Sequence, residues 1–383
     1  MSKTTGPRDE HSQRAWDWWR KIGEPRHVCA PMVWNSELAF RLLVRRHGCQ
    51  LTYTPMILAR KFLRLDHAER LAMIEPDSHD RPLVVQFAAD DPQTLLAAAR
   101  LAEAHCDAVD LNLGCPQPQA VRDHYGSILM EEPELVEAMV RTASAGLSIP
   151  FTVKMRIFDD VERTTRFARM LEAAGASLLT VHGRTRSCTH HEGKCDWETI
   201  RAVKEAVRIP VIANGGMIRS LKDVADCLRD TGADAVMSAI GLLLDPRLFA
   251  RTTEPYSAID VALEYCDTAE RVPSTTSTSM RQHLMAILRQ AICPSYYRRG
   301  GDCDDHVDLW TLLCSNNIRS ARQCRQIVLT LAWRINDRLA PPTAPPTLKD
   351  IKKNIHVGVD VDGPVGGDDA GGSDELAEFT LDF

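Results

Sequence analysis

No apolar run in this 383-residue chain approaches the roughly 20 residues needed to cross a bilayer, so a membrane-spanning helix is not expected. Met1 to Gln13 is polar and carries both signs of charge, so this stretch reads as neither a secretory signal nor a transit peptide. The twelve cysteines contain no CxxC pair and no zinc-ligand spacing. They read as reduced thiols of an intracellular protein, with the cytoplasm as default compartment. The short basic piece Lys349 to Lys353 is too little to argue for the nucleus. No Gly-x-Gly-x-x-Gly follows an early strand-like run, which speaks against a dinucleotide-binding open sheet. No cluster of carboxylates supports a metal, and no Ser-His-Asp elbow appears. Basic residues are missing from Val359 to Phe383, which holds eight acids. The net charge of −6 therefore misleads, because the remaining chain carries +2. Charge alone neither demands nor excludes a nucleic-acid partner.

What is present has a regular beat. Strand-like runs occur at His27–Val33, Leu51–Met56, Pro82–Ala88, Ala108–Gly114, Phe151–Ile157, Leu178–Thr185, Val211–Met217 and Ala235–Gly241. Helix-like segments separate them. Ser36 is placed to cap one, Asp91-Pro92 heads a second, and Gly175 and Gly232 close two more. Nearly apolar strands alternating with helices indicate a parallel sheet covered on both faces. Eight units over 27–255 match an α/β fold of the (β/α)8 TIM-barrel type, typically about 250 residues long. Residues 1–26 form an N-terminal extension whose short helix carries Trp16, Trp18 and Trp19, for packing or, alternatively, for base stacking. Residues 256–275 read as a linker. Residues 276–340 read as a C-terminal all-helical domain with nine Arg and no Lys between Arg281 and Arg338. Such a face is either solvated surface or a phosphate-binding one. The Gly- and Asp-rich tail, 341–383, is expected to be disordered.

The chemistry gathers at the strand ends. Asp110-Leu-Asn-Leu-Gly-Cys-Pro116 ends a buried strand and delivers a thiol, Cys115, where a parallel barrel keeps its reactive groups. Neighbouring runs end in Pro31-Met32, Gln86, Asn112, Lys154, Arg156, His182, Arg184, Asn214-Gly215-Gly216 and Ala239-Ile240. Packing alone does not call for so many polar groups at one end of a barrel, since each needs a partner or costs several kcal/mol, on the order of 2–7. Glycines after the seventh and eighth strands suit a phosphate, and Lys154 suits a ring that gains negative charge on reduction. The residues themselves suggest a phosphate-bearing flavin with a cysteine acid beside it.

Ala30-Pro-Met-Val33, Tyr53-Thr-Pro-Met56, Val85-Gln-Phe87, the Cys115 motif, Val153-Lys-Met-Arg156, Val181-His-Gly-Arg-Thr185 and Asn214-Gly-Gly216 together resemble the tRNA-dihydrouridine synthases over about residues 14–255. Leu111 to Gln117 and His124-Tyr-Gly126 look most like the eukaryotic branch acting on D-loop uridines 16 and 17. The resemblance implies FMN reduced by NADPH or NADH, hydride transfer to C6 of a uracil, and Cys115 as general acid at C5. It places Pro31, Met32, Gln86, Lys154, His182, Asn214, Gly215 and Gly216 around FMN, with Ala239 and Ile240 near its phosphate. Asn112, Arg156 and Arg184 would meet substrate. It also implies tRNA as partner, cradled by the helical domain of a monomer, with no metal and no membrane. Trp34-Asn35, Val121, Asp123 and Ile240 depart from the family's usual residues. The alternatives are an FMN barrel oxidoreductase acting on a small pyrimidine-like molecule, and a non-catalytic tRNA-binding protein.

Overall fold

The computed structural model describes residues 9–186, 188, 195–216, 218–252, 257–292, 307–314 and 318–335. The tail, and the expectation of its disorder, lie outside them. Among the described residues nine strands form, β1 His27–Cys29, β2 Leu51–Tyr53, β3 Ile57–Leu58, β4 Leu83–Ala88, β5 Ala108–Leu113, β6 Phe151–Ile157, β7 Leu178–Thr185, β8 Val211–Asn214 and β9 Ala235–Ser238. Every pairing is parallel, and β1 pairs with both β2 and β9 while β2 pairs with β4, so eight strands close into a barrel. The ninth, β3, is a two-residue addition beside the end of β4. All eight expected strands are present, several of them shorter. The first stops at Cys29 because Pro31, just beyond it, has no N–H to continue a ladder. The seventh stops at Asn214 because Gly215 and Gly216 take φ values of +97° and +95°.

Alternation along the strands divides two environments. Val85, Phe87, Val109, Leu111, Val153 and Met155 point outward and are buried under the helices. Val28, Leu51, Val84, Ala108, Leu178, Ile212 and Ala235 fill the barrel interior together with Trp19, from the helix Glu10–Lys21. That helix plugs the amino-terminal end of the barrel. Trp16 Nε1 donates to Arg208 O at 2.7 Å and His11 Nε2 lies 2.9 Å from Ala176 O, both just ahead of strands. The tryptophans therefore pack at the end opposite the strand termini that carry the chemistry. Towards those termini the interior turns polar, with Tyr53, Gln86, Asp110, Thr152 and Thr180 all fully buried.

Helix signals are mostly where the sequence put them. Asp91 accepts from Thr94 N at 2.7 Å ahead of Pro92–Ala102, and Gly232 at φ +67° ends Leu221–Thr231. Ser36 is a correction. The N-cap of Leu38–Arg46 is Glu37, and the Ser36 hydroxyl instead bonds the backbone of Met32. Glu37 makes no side-chain cap because its carboxylate accepts from Tyr265 Oη at 2.9 Å and meets His283 Nε2 at 2.9 Å.

The stretch expected to be a connector is largely the helix Ala258–Arg271. It packs on Leu38–Arg46, Ser277–Ile292 and Ala321–Ile335, and one apolar core runs from the barrel's helices into Leu284, Ile287, Cys324, Ile327 and Leu331. Among the described residues no helix is long and apolar enough to cross a membrane.

Candidate active site

Strand register brings the polar residues side by side. Gln86 lies opposite Asp110, Asn112 opposite Lys154, Arg156 opposite His182, and His182 opposite Asn214. A chain of hydrogen bonds starts inside the barrel. Thr152 Oγ1 donates to Asp110 Oδ1 at 2.6 Å, and Gln86 Nε2 donates to Asp110 Oδ2 at 2.8 Å. Asn112 Nδ2 donates to Gln86 Oε1 at 2.9 Å. Asn112 Oδ1 then accepts from the amides of Gly114 at 2.9 Å and Cys115 at 3.0 Å. An ionised carboxylate only accepts, so Asp110 sets the direction of both amides above it. Burial raises the Asp110 pKa to about 6, opposed by Thr152, Gln86 and Lys154.

The Cys115 loop is held from its other side too. Ser127 N donates to Cys115 O at 3.0 Å. Gly126 approaches so closely, at φ +76°, that a Cβ there would stand 2.7 Å from Cys115 O. The thiol is partly exposed against Tyr125, Ala120, Met56, Leu58 and Ala88. Burial raises its pKa, while the Gln117 backbone, Arg156 and Lys154 pull it down. Lys154 Nζ has no hydrogen-bond or ion-pair partner among the described residues, and a Cβ on Gly114 would lie 3.8 Å from it. Burial, then Arg156, lowers its pKa to about 8, with Asp110 and Cys115 acting the other way.

Across the mouth, Asn214 Nδ2 donates to Met237 O at 3.0 Å. The Gly215-Gly216 turn is tightly enclosed: a Cβ would meet His182 at 2.8 Å from Gly215, and Trp197 Nε1 at 2.6 Å from Gly216. Pro31 and Met32 follow β1, and Ala239 leads into the short helix Ile240–Leu244 after β9. Two residues expected to face substrate have other work. Arg156, 1% exposed, donates from Nε to Gly114 O at 2.8 Å and from Nη1 to the carbonyls of Thr185 at 2.8 Å and Cys188 at 2.7 Å. Asn112 is spent on Gln86 and the Cys115 loop. Arg184 sits partly exposed at the end of β7. The supporting Tyr53, Asp110, Thr152 and Thr180 were not singled out from the sequence, although polar residues at every second position of apolar strands signal them.

Three comparisons bear on this arrangement. The family model described as dihydrouridine synthase matches residues 28–295. A relative from Mus musculus, named tRNA-dihydrouridine(16/17) synthase NAD(P)(+)-like, is 47% identical over 272 residues, which is 70% of this chain and 56% of that one. The tRNA-dihydrouridine(16/17) synthase of Saccharomyces cerevisiae is 42% identical over 282 residues, 70% of this chain and 66% of its own. A Homo sapiens protein named as a tRNA-dihydrouridine(20a/20b) synthase-like protein is 41% identical over 276 residues, 70% of this chain and 83% of its own. The chain thus spans a little over half of the mouse relative and about two thirds of the yeast one.

Proposed function

The chain belongs to the dihydrouridine synthase family, and from that premise we propose that it reduces the C5–C6 bond of a uridine in tRNA, with FMN bound in the mouth and NADPH or NADH as electron source. The observation that carries this reading is that the Cys115 thiol and the half-buried Lys154 ammonium, which has no hydrogen-bond or ion-pair partner among the described residues, come together at the open end of a barrel.

The residues present suit FMN. Among the described residues the mouth offers a cation without a counter-ion in contact and a glycine turn with little room for side chains, and the buried Asp110 carboxylate is already occupied. Lys154, His182, Asn214, Pro31 and Met32 would border the ring system. Gly215, Gly216, Ala239 and Ile240 would take the phosphate. Gln86 forms the floor beneath, with one amide hydrogen still uncommitted. When bound and reduced, the flavin supplies a hydride to C6 of the uracil.

The chain's own part is acid catalysis and positioning. The Cys115 thiol gives its proton to C5, and its raised pKa keeps that proton in place until the base arrives. Arg156 and Lys154 favour the thiolate left behind. Asn112 and Arg156 act by fixing the loop that carries the thiol, and Arg184 is the arginine assigned to substrate. The uridine must leave its stack to reach the mouth. The exposed Arg319 and Arg322, at the start of Ala321–Ile335, would hold the surrounding RNA phosphates. The names of the mouse and yeast relatives favour positions 16 and 17 of the D-loop.

The test is to incubate the enzyme and NADPH with tRNA transcribed without modifications and to map dihydrouridine along the product. Dihydrouridine at position 16 or 17 is expected. Reduction of free uridine with no change in tRNA would contradict the proposal.

A further inference from the structure

Trp34 stands on the rim that follows β1, two residues beyond Met32, in the left-handed region at φ +64° and 57% exposed. A bulky side chain is a genuine outlier there, because its Cβ crowds the neighbouring carbonyl. Burial gives nothing back. Among the described residues the indole makes no hydrogen bond and no ring contact, and the adjacent Val33 is 45% exposed.

The turn is nevertheless tightly specified. The amides of Asn35 and Ser36 both donate to Met32 O at 3.1 Å. Ser36 Oγ accepts from Met32 N at 3.0 Å and donates to Met32 O at 3.2 Å. Asn35 Nδ2 reaches Val33 O at 3.3 Å. This is the reason Ser36 is not a helix cap: it is a clamp on the Trp34 turn. Strain held in place by surrounding bonds is typical of sites that meet a ligand. The position on the ring matters as well. β1 and the strand that delivers Cys115, β5, are separated by β2 and β4, so Trp34 and Cys115 rise from well-separated parts of one eight-strand rim.

We propose that Trp34 is a stacking platform for an unpaired nucleobase that neighbours the uridine entering the mouth. The inference rests on the tRNA reading above. Drawing one base out of a stack leaves its neighbour's face open to water, and an aromatic face at the rim replaces the lost partner. Stacking of this kind is worth about 1–3 kcal/mol per base, or about 5- to 150-fold in affinity. It tolerates any base, so Trp34 adds affinity for an opened loop rather than a sequence preference.

The experiment uses the FMN-loaded full chain and an unmodified tRNA transcript, comparing Trp34→Phe, Trp34→Ala and Trp34→Gly. Trp34→Ala and Trp34→Gly should bind tRNA about ten-fold more weakly, while Trp34→Phe keeps most of the affinity. The rate at which NADPH reduces the flavin should not change. Trp34→Gly should also melt no lower than the parent, because glycine adopts this φ without strain. Tryptophan fluorescence of the parent should be quenched by tRNA more than that of Trp34→Phe. Equal tRNA affinity in the parent, Trp34→Ala and Trp34→Gly would overturn the platform and leave the tRNA reading standing. A parent that binds no tRNA would overturn the tRNA reading, and the platform with it.

Discussion

At the scale of single residues, the proposed reaction asks two groups to do different work through their proton states. Cys115 must hold its proton, and burial in the mouth keeps it there. Cys115→Ala should stay yellow and still be reduced by NADPH, while reoxidation of its flavin by tRNA slows by about 10²-fold or more, as removal of a general acid does. Lys154 must hold a positive charge with no counter-ion in contact. With its pKa lowered to about 8, the cation is complete below that value and lost above it, so turnover should fall as pH rises through about 8. Asp110 supports that charge. Asparagine at 110 still accepts from Gln86 and now donates to Thr152, so the hydrogen-bond chain survives and only the charge goes. Asp110→Asn should therefore shift the alkaline limb of the rate profile to lower pH. Alkylation of Cys115, followed on its own peptide, should stay near the parent rate. Asp110→Leu should alter both. The sequence made the thiol and the lysine legible, since both end strands. It hid Asp110, whose role exists only because register sets it opposite Gln86. Arg156 was legible as a buried cation, but not as a clamp, because its three carbonyl partners come from two segments far apart in sequence, Gly114 ahead of Cys115 and Thr185 with Cys188 at the end of β7.

At the scale of elements, the strands were readable from nearly continuous apolar runs, and their ends were set by proline and glycine. The helix Ala258–Arg271 was not read. Its buried face, Val261, Ala262, Tyr265, Cys266 and Ala269, has helical spacing, but the Pro-Ser-Thr stretch beyond it suggested a connector. Its contact with the barrel turns on Glu37, which is buried between Tyr265 and His283, with Phe40 stacked 4.2 Å from His283. Burial alone would raise the Glu37 pKa, yet His283 and Tyr265 bring it below the usual value. The carboxylate therefore stabilises the fold above the unfolded-state pKa, and that contribution is lost as pH falls through the lowered folded value. Glu37→Leu leaves buried polar partners behind and should cost about 3–5 kcal/mol, read from the urea midpoint at pH 7. Below pH 4 the difference from the parent should shrink.

At the scale of the whole molecule, barrel and helical region are one packed body. A deletion of 276–340 would strip apolar cover from the helices Ala258–Arg271 and Leu38–Arg46, so surface charge is the better probe of RNA binding. Arg319 and Arg322 are exposed on the helical region. Arg319→Glu with Arg322→Glu should leave the flavin content unchanged. It should also reduce the slope of log affinity for tRNA against log salt by about 1.4 to 1.8, the effect of two lost phosphate contacts. An unchanged slope would remove this face from the tRNA footprint.

The central claim is that tRNA uridine is the oxidant of a flavin held in this barrel. It is tested most directly by reducing the purified protein with NADPH in the absence of oxygen, adding unmodified tRNA, and following the flavin absorbance. Prompt return of the oxidised spectrum with tRNA, and not with free uridine, is the predicted result. A flavin that stays reduced in the presence of tRNA, or is reoxidised equally well by free uridine, would contradict it.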